Sequence, residues 1–452
     1  MRRAFAFALA LLGCAPAPAA PPPSTPPASV RAPVAPVEAV ADPPGSRPAT
    51  DAEARLLARL LAETETLRGL RFTGPVAFTV QTPRAIAQSL TADLEEEELE
   101  ETRFVYATLG LLDPATDVRA LLASVVADQV VGYYDTERER LVVRDDVLDT
   151  LRRPGEGEAQ MVLVHELVHA LQDQRFGLPD DEDDLDSDAA NAFRGLAEGD
   201  ATLTMALRGA LRSAGGLAVA EERRRFVLSR FGERLGAVDT ETLLEAFAAP
   251  GQDALADAPT ILRTTLVMPY LYGLRFCARL ASNGDFTRID AAFRAPPGSS
   301  ELVMHPEKYL AGEGFDAIAL PALPSLDAAG WEEVAEDTLG ELELGVFLGR
   351  RAGDVIGRGA VDRGAAAGWS GDRLRIYRRG EAGAAVWLTS WDDAREASEA
   401  EAAVLGARTE RQGRALVVLM GLDEAEGAAV LETLEPALAT LQREGPAGAR
   451  AR

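Results

Sequence analysis

The sequence predicts an α+β protein in which a mostly helical unit with a small hairpin is followed by a smaller C-terminal α+β unit. Three observations carry this expectation. Helical runs with an apolar period dominate residues 50–281. The stretch VVGYYDTERERLVVR holds two β-rich runs around a charged turn. Beyond Pro324–Gly330, short β-rich runs alternate with helices. At 452 residues the chain has length for two or three compact units.

Taken in order, Arg2 and Arg3, an apolar run from Ala4 to Leu12, then Gly13 and Cys14 have the charge and length pattern of an export signal, too short to span a bilayer. LLGC resembles a bacterial lipobox, which implies cleavage before Cys14 and lipidation of that cysteine. The alternative is a plain signal peptide cut within APAPAA. On the lipobox reading residues 1–14 are the lipoprotein signal segment up to its lipidated Cys14, and the location expected is the cell envelope, anchored by acyl chains or, on the alternative, soluble outside the cytoplasm. Residues 15–49 are rich in proline and alanine without a hydrophobic period, and read as an extended spacer.

Thr50 and Asp51 cap a helix over DAEARLLARLLAETETLRGL. VAFTVQT reads as a strand, followed by helical segments through LEEEELEETRFVYATLGLL and VRALLASVVADQ, and then by the hairpin. Helices are expected at 158–176, about 187–211, around EERRRFVLSRF, and at 260–281 with a kink at Pro269. The first folded unit therefore runs over 50–325. The second, 326–452, has a helix at TLGELELGVFLGR, β-like runs RLRIYRR, AAVWLTSW and RALVVLMG, and two further helices; GWSGD reads as a turn leading into a strand.

The formal charge of −26 argues against nucleic acid and against an anionic bilayer surface as electrostatic partners. With only Cys14 and Cys277 there is no disulfide framework, and Cys277, in LYGLRFCARL, reads as a small buried hydrophobe. The acidic stretch LPDDEDDLDSD offers oxygen ligands that could bind calcium, but it lacks EF-hand spacing and reads first as a solvated loop.

The chain contains three histidines, and two of them stand four apart in VLVHELVHALQDQ. Residues four apart share a helix face, so His165 and His169 can direct imidazole nitrogens to one metal ion, with Glu166 beside them. This is the HExxH pattern, in which the histidines hold zinc and the glutamate is the general base. The bland alternative is a pair of core histidines bonded to carbonyls. A catalytic zinc needs a third protein ligand, and the next predicted helix carries Glu198 in AEGDA. HELVHALQD resembles the active-site helix of the gluzincin zinc metallopeptidases, and AEGDA is similar to the glutamate-glycine-x-alanine motif of their aminopeptidase branch.

The resemblance implies a zincin-like fold for the first unit, Zn²⁺ as cofactor, Glu198 as third ligand and peptide-bond hydrolysis of a peptide or protein substrate. It also implies a downstream histidine or tyrosine that stabilises the oxyanion. His305 and Tyr309 in HPEKY are the candidates, and Tyr270 and Tyr272 are weaker ones; the alternative for His305 is a turn histidine bonded to a backbone carbonyl before Pro306. Asp173 and Asp200 are candidates to accept an imidazole N–H and orient a ligand. The outer strand of the hairpin is a place where an extended peptide can add to a sheet. A reading of a different class is a non-catalytic zinc-binding envelope lipoprotein acting as a binding or assembly factor. The retained Glu166 speaks against it, since a structural zinc site needs no base.

Overall fold

The computed structural model describes residues 42–92, 94–129, 132–150, 157–179, 185–213, 216, 221–238 and 257–444. Cys14, the signal and residues 15–41 of the spacer lie outside that set. The architecture is α+β, with two small sheets set among helices.

The first sheet runs β1 (Arg47–Pro48), β2 (Ala77–Gln81), β4 (Arg140–Arg144), β3 (Gly132–Asp135) in spatial order. β2 and β4 are parallel, while β1–β2 and β3–β4 are antiparallel. β3 and β4 are the expected hairpin. Leu141, Val142 and Val143 of β4 are fully buried, as the β-branched run RLVVR demands of an inner strand. The spacer ends sooner than its composition suggests: β1 belongs to it yet pairs with β2, and Asp42 accepts from the Thr79 hydroxyl at 3.0 Å.

Helices α1 (Asp51–Arg68), α2 (Glu96–Thr108), α3 (Val118–Gln129), α4 (Gly157–Phe176), α5 (Ser187–Ser213), α6 (Glu221–Leu235) and α7 (Thr260–Leu280) follow the predicted order. α1 begins in a capping box between Thr50 and Glu53, an arrangement worth about 1 kcal/mol, and ends at Gly69 in the left-handed region. α4 is apolar on nearly every side; Leu163, Val164, Leu167, Val168, Ala170 and Leu171 are fully buried. α7 runs continuously through Pro269 and packs along α5.

The second sheet is antiparallel throughout, in the order β5 (Glu332–Asp337), β6 (Trp369–Arg379), β7 (Ala382–Trp391), β9 (Ala415–Met420), β8 (Arg408–Gln412). Helix α8 (Gly340–Leu348) packs on one face, and α9 (Glu424–Glu444) covers the other. GWSGD is more than a turn: Gly368 alone takes the left-handed conformation, and Trp369 already starts β6. Asp372 in that motif is a buried anchor, accepting from the Leu339 and Gly340 amides and from the indoles of Trp369 and Trp387 at 2.8–3.1 Å.

The boundary at 325/326 separates the sheets but not the cores. Leu99, Val105, Tyr106, Leu109 and Leu112, on and just after α2, share a core with Trp369, Trp387 and Trp391 of the second sheet. Tyr106 also donates to Glu343 of α8 at 3.1 Å. Among the described residues no helix is long and apolar enough to cross a membrane.

Candidate metal centre

α4 and α5 pack side by side and bring three side chains to one point. His165 and His169, one turn apart on α4, face each other Nε2 to Nε2 at 3.1 Å. Glu198 of α5 places Oε2 2.9 Å from His165 Nε2 and 3.4 Å from His169 Nε2. All three residues are buried, and among the described residues they form the one cluster of metal-ligating side chains.

Two imidazole nitrogens and a carboxylate oxygen converging in a buried place call for a positive charge between them. The imidazoles and the carboxylate also shift one another. Burial works to raise the Glu198 carboxyl, but the two imidazoles outweigh it and hold it at about 2. Burial opposes charging of His169, yet the Glu198 carboxylate raises it to about 9. A shared proton or a cation with nitrogen and oxygen ligands can each answer that demand.

Glu166 sits beside the three, fully buried. Its Oε2 accepts from the Tyr134 backbone N–H of β3 at 3.2 Å, and its Oε1 has no partner among the described residues. Burial raises its carboxyl above the ordinary range, with the imidazoles pulling it back. An unpartnered carboxylate oxygen beside a cation site is placed to take a proton from a water molecule there.

The close approach of the helices has a specific cause. A Cβ at Gly199 would stand 2.2 Å from the Gly273 carbonyl of α7, and a Cβ at Gly273 would stand 2.0 Å from the Gly195 carbonyl oxygen. The glycine of AEGDA is therefore a packing residue that lets α7 close onto α5 beside Glu198. That crossing brings Tyr270 over His165, ring centroids 6.0 Å apart and planes within 19°.

The remaining candidates distribute differently from expectation. Asp173 accepts from the Tyr134 hydroxyl at 2.8 Å and the Leu178 N–H at 3.2 Å; it ties β3 to α4 and does not serve an imidazole. Asp200 reaches His169 only through Gln172, which lies between them. His305 is not brought to the triad. Its Nε2 lies 2.9 Å from Glu341 of α8, and that glutamate lines a cleft with Met268, Tyr272 and Met304. Tyr270 and Tyr272 are two residues apart, roughly 200° around a helix, so this cleft and His305 lie across α7 from the metal centre. Tyr309 donates to the Ala295 carbonyl at 3.3 Å and packs against Phe276. In the acidic stretch, residues 180–184 lie outside the described set; Ser187 binds Asp337 and Asp188 accepts from Ser300, both structural ties.

Sequence reasoning missed Gln172, whose Oε1 lies 2.9 Å from His169 Nδ1. The available signal was position: it stands three residues after His169 on the same helix face, polar and fully buried. It also missed that the outer strand β3 is closed. All four of its residues are buried, and the Tyr134 N–H is already bonded to Glu166.

Comparison with known proteins reaches only the C-terminal unit, where residues 327–435 match the family model of a domain of unknown function, DUF8575. No curated protein and no solved structure matches the chain.

Proposed function

We propose that the chain is a zinc-dependent peptide hydrolase of zincin-like type, related to the gluzincins, that acts in the cell envelope as a lipid-anchored protein. One observation carries the reading: the base-type carboxylate of Glu166, buried and with one oxygen unpaired among the described residues, stands beside a buried His165–His169–Glu198 cluster. A purely structural site has no use for that oxygen.

His165 Nε2, His169 Nε2 and Glu198 Oε2 are the atoms that would hold the ion. When bound, Zn²⁺ supplies positive charge that polarises a carbonyl and acidifies water. The rest falls to side chains of the chain. Glu166 takes the proton of the attacking water on Oε1 and delivers it to the leaving amine, while the Tyr134 N–H keeps the carboxylate aimed. Tyr270, lying over His165, is the residue best situated to approach a developing oxyanion.

The test is cleavage of a broad peptide library by the purified chain with Zn²⁺, after chelation, and in Glu166→Gln. Cleavage that needs the metal and vanishes in Glu166→Gln with metal retained supports the hydrolase. Tight metal binding with no cleavage of any peptide would favour the non-catalytic binding or assembly factor.

A further inference from the structure

We propose that Arg68, in the last turn of α1, is a positioning residue of the metal centre that fixes the orientation of His169 through Asp200 and Gln172. The inference deepens the proposed function and rests on the His165–His169–Glu198 site being a metal site.

The argument is a count of donors and acceptors. The Gln172 side chain offers one oxygen and one NH₂ group. On one side it meets the Ala197 carbonyl at 2.9 Å and the Asp200 carboxylate at 3.0 Å, both acceptors. The NH₂ must therefore face α5, which turns Oε1 toward His169 Nδ1 at 2.9 Å. An oxygen there can only accept, so Nδ1 carries the imidazole hydrogen of the neutral ring. Nε2 is left with its lone pair directed at His165 and Glu198, the form a metal ligand needs.

The orientation of Gln172 is only as secure as Asp200, and Asp200 is fully buried. Arg68, 1% exposed, is the cation that holds it: Arg68 Nε lies 2.9 Å from Asp200 Oδ2 and 2.7 Å from Oδ1. The same guanidinium bonds Asp290, in helix 287–294, at 2.5 Å and lies over the Phe286 ring at 4.5 Å. Arg68 is thus locked by two carboxylates and an aromatic face. It links the first helix of the folded chain to a zinc ligand 101 positions away in sequence, with no contact to the ion site itself. A guanidinium suits this place because its planar fork serves two carboxylates at fixed angles.

The test uses the full chain labelled with ¹⁵N-histidine. Three histidines give a spectrum in which each ring nitrogen can be assigned by substitution. In the metal-free wild type, at a pH where the rings are neutral, His169 is expected as the Nδ1–H tautomer. Arg68→Met should introduce the Nε2–H form and lower Zn²⁺ affinity, measured by chelator competition, about 10- to 100-fold, and Arg68→Lys should recover part of the loss. Gln172→Met should lower affinity in the same range, and adding Arg68→Met to it should cause no further loss, because both act through one path. If Arg68→Met fails to fold, Asp200→Asn carries the same expectation, since it leaves Arg68 paired with Asp290. A His169 that stays Nδ1–H in these variants, or losses that simply add, would overturn the proposal. A wild type that binds no Zn²⁺ would sink the hydrolase instead, while the tautomer still reports on Arg68.

Discussion

Gly199→Ala tests how tightly the metal centre depends on the crossing of α5 and α7. The new methyl would begin 2.2 Å from the Gly273 carbonyl carbon and oxygen, atoms of a helix backbone that has no rotamer to change. Restoring ordinary contact at 3.4 Å or more requires the helices to part by roughly 1.2 Å, an overpacking that costs about 1–3 kcal/mol. The displacement falls one residue from Glu198 and moves Tyr270 away from His165, so Zn²⁺ affinity should drop along with stability. Gly209→Ala is the internal control on the same helix. A Cβ there meets only Met161 Sδ at 3.6 Å, an ordinary contact, and the helix should gain about 0.5–1 kcal/mol. Urea unfolding with zinc competition on both variants reads the pair. If Gly199→Ala matched the wild type in stability and metal affinity, the close-crossing argument would be refuted.

Other expectations follow from single side chains. Glu166→Gln should lower peptide hydrolysis about 10²- to 10⁴-fold with zinc content unchanged, read by steady-state kinetics and metal analysis. Burial and the nearby Asp337 raise Glu343 to about 7, above its unfolded value near 4.5, so its share of stability is present below pH 4.5 and lost as pH rises to about 7. Glu343→Gln should remove that slope, worth up to roughly 3 kcal/mol between pH 4.5 and 8, in urea unfolding at the two pH values; parallel profiles would contradict it. Asp372→Ala strands two indole and two backbone N–H donors around a buried site and should destabilise the second sheet by about 3–5 kcal/mol, seen as lost near-ultraviolet dichroism from Trp369 and Trp387 at lower urea.

The sequence made the candidate site legible because its histidines sit at helical spacing, and both its stretches carry a strong apolar pattern. His165, Glu166, His169 and Glu198 could all be named from two short stretches. What supports them could not. Arg68 and Tyr134 meet the site from a helix and a strand far away in the chain, and nothing local to them announces it; Tyr270 showed only as a weaker candidate. The third histidine misled for the opposite reason: scarcity drew attention to His305, whose partner is a structural glutamate in α8. In the second unit the inner strands β6, β7 and β9 showed as the β-like runs RLRIYRR, AAVWLTSW and RALVVLMG. β5 and β8 did not, because edge strands are charged and EEVAED and RTERQ look like loops until a neighbour pairs with them. The shared core of α2 with the second sheet was equally hidden, since periodicity tells which face is buried and not what covers it.

The central claim is that His165, His169 and Glu198 hold one divalent cation with a position left for water. Calorimetric zinc titration of the metal-free full chain tests it most directly. The account predicts one tight site per chain in the wild type, and a large loss of affinity when His165, His169 or Glu198 is replaced singly by alanine. A wild type that takes up no zinc, or alanine variants that bind it as tightly as the wild type, would contradict it.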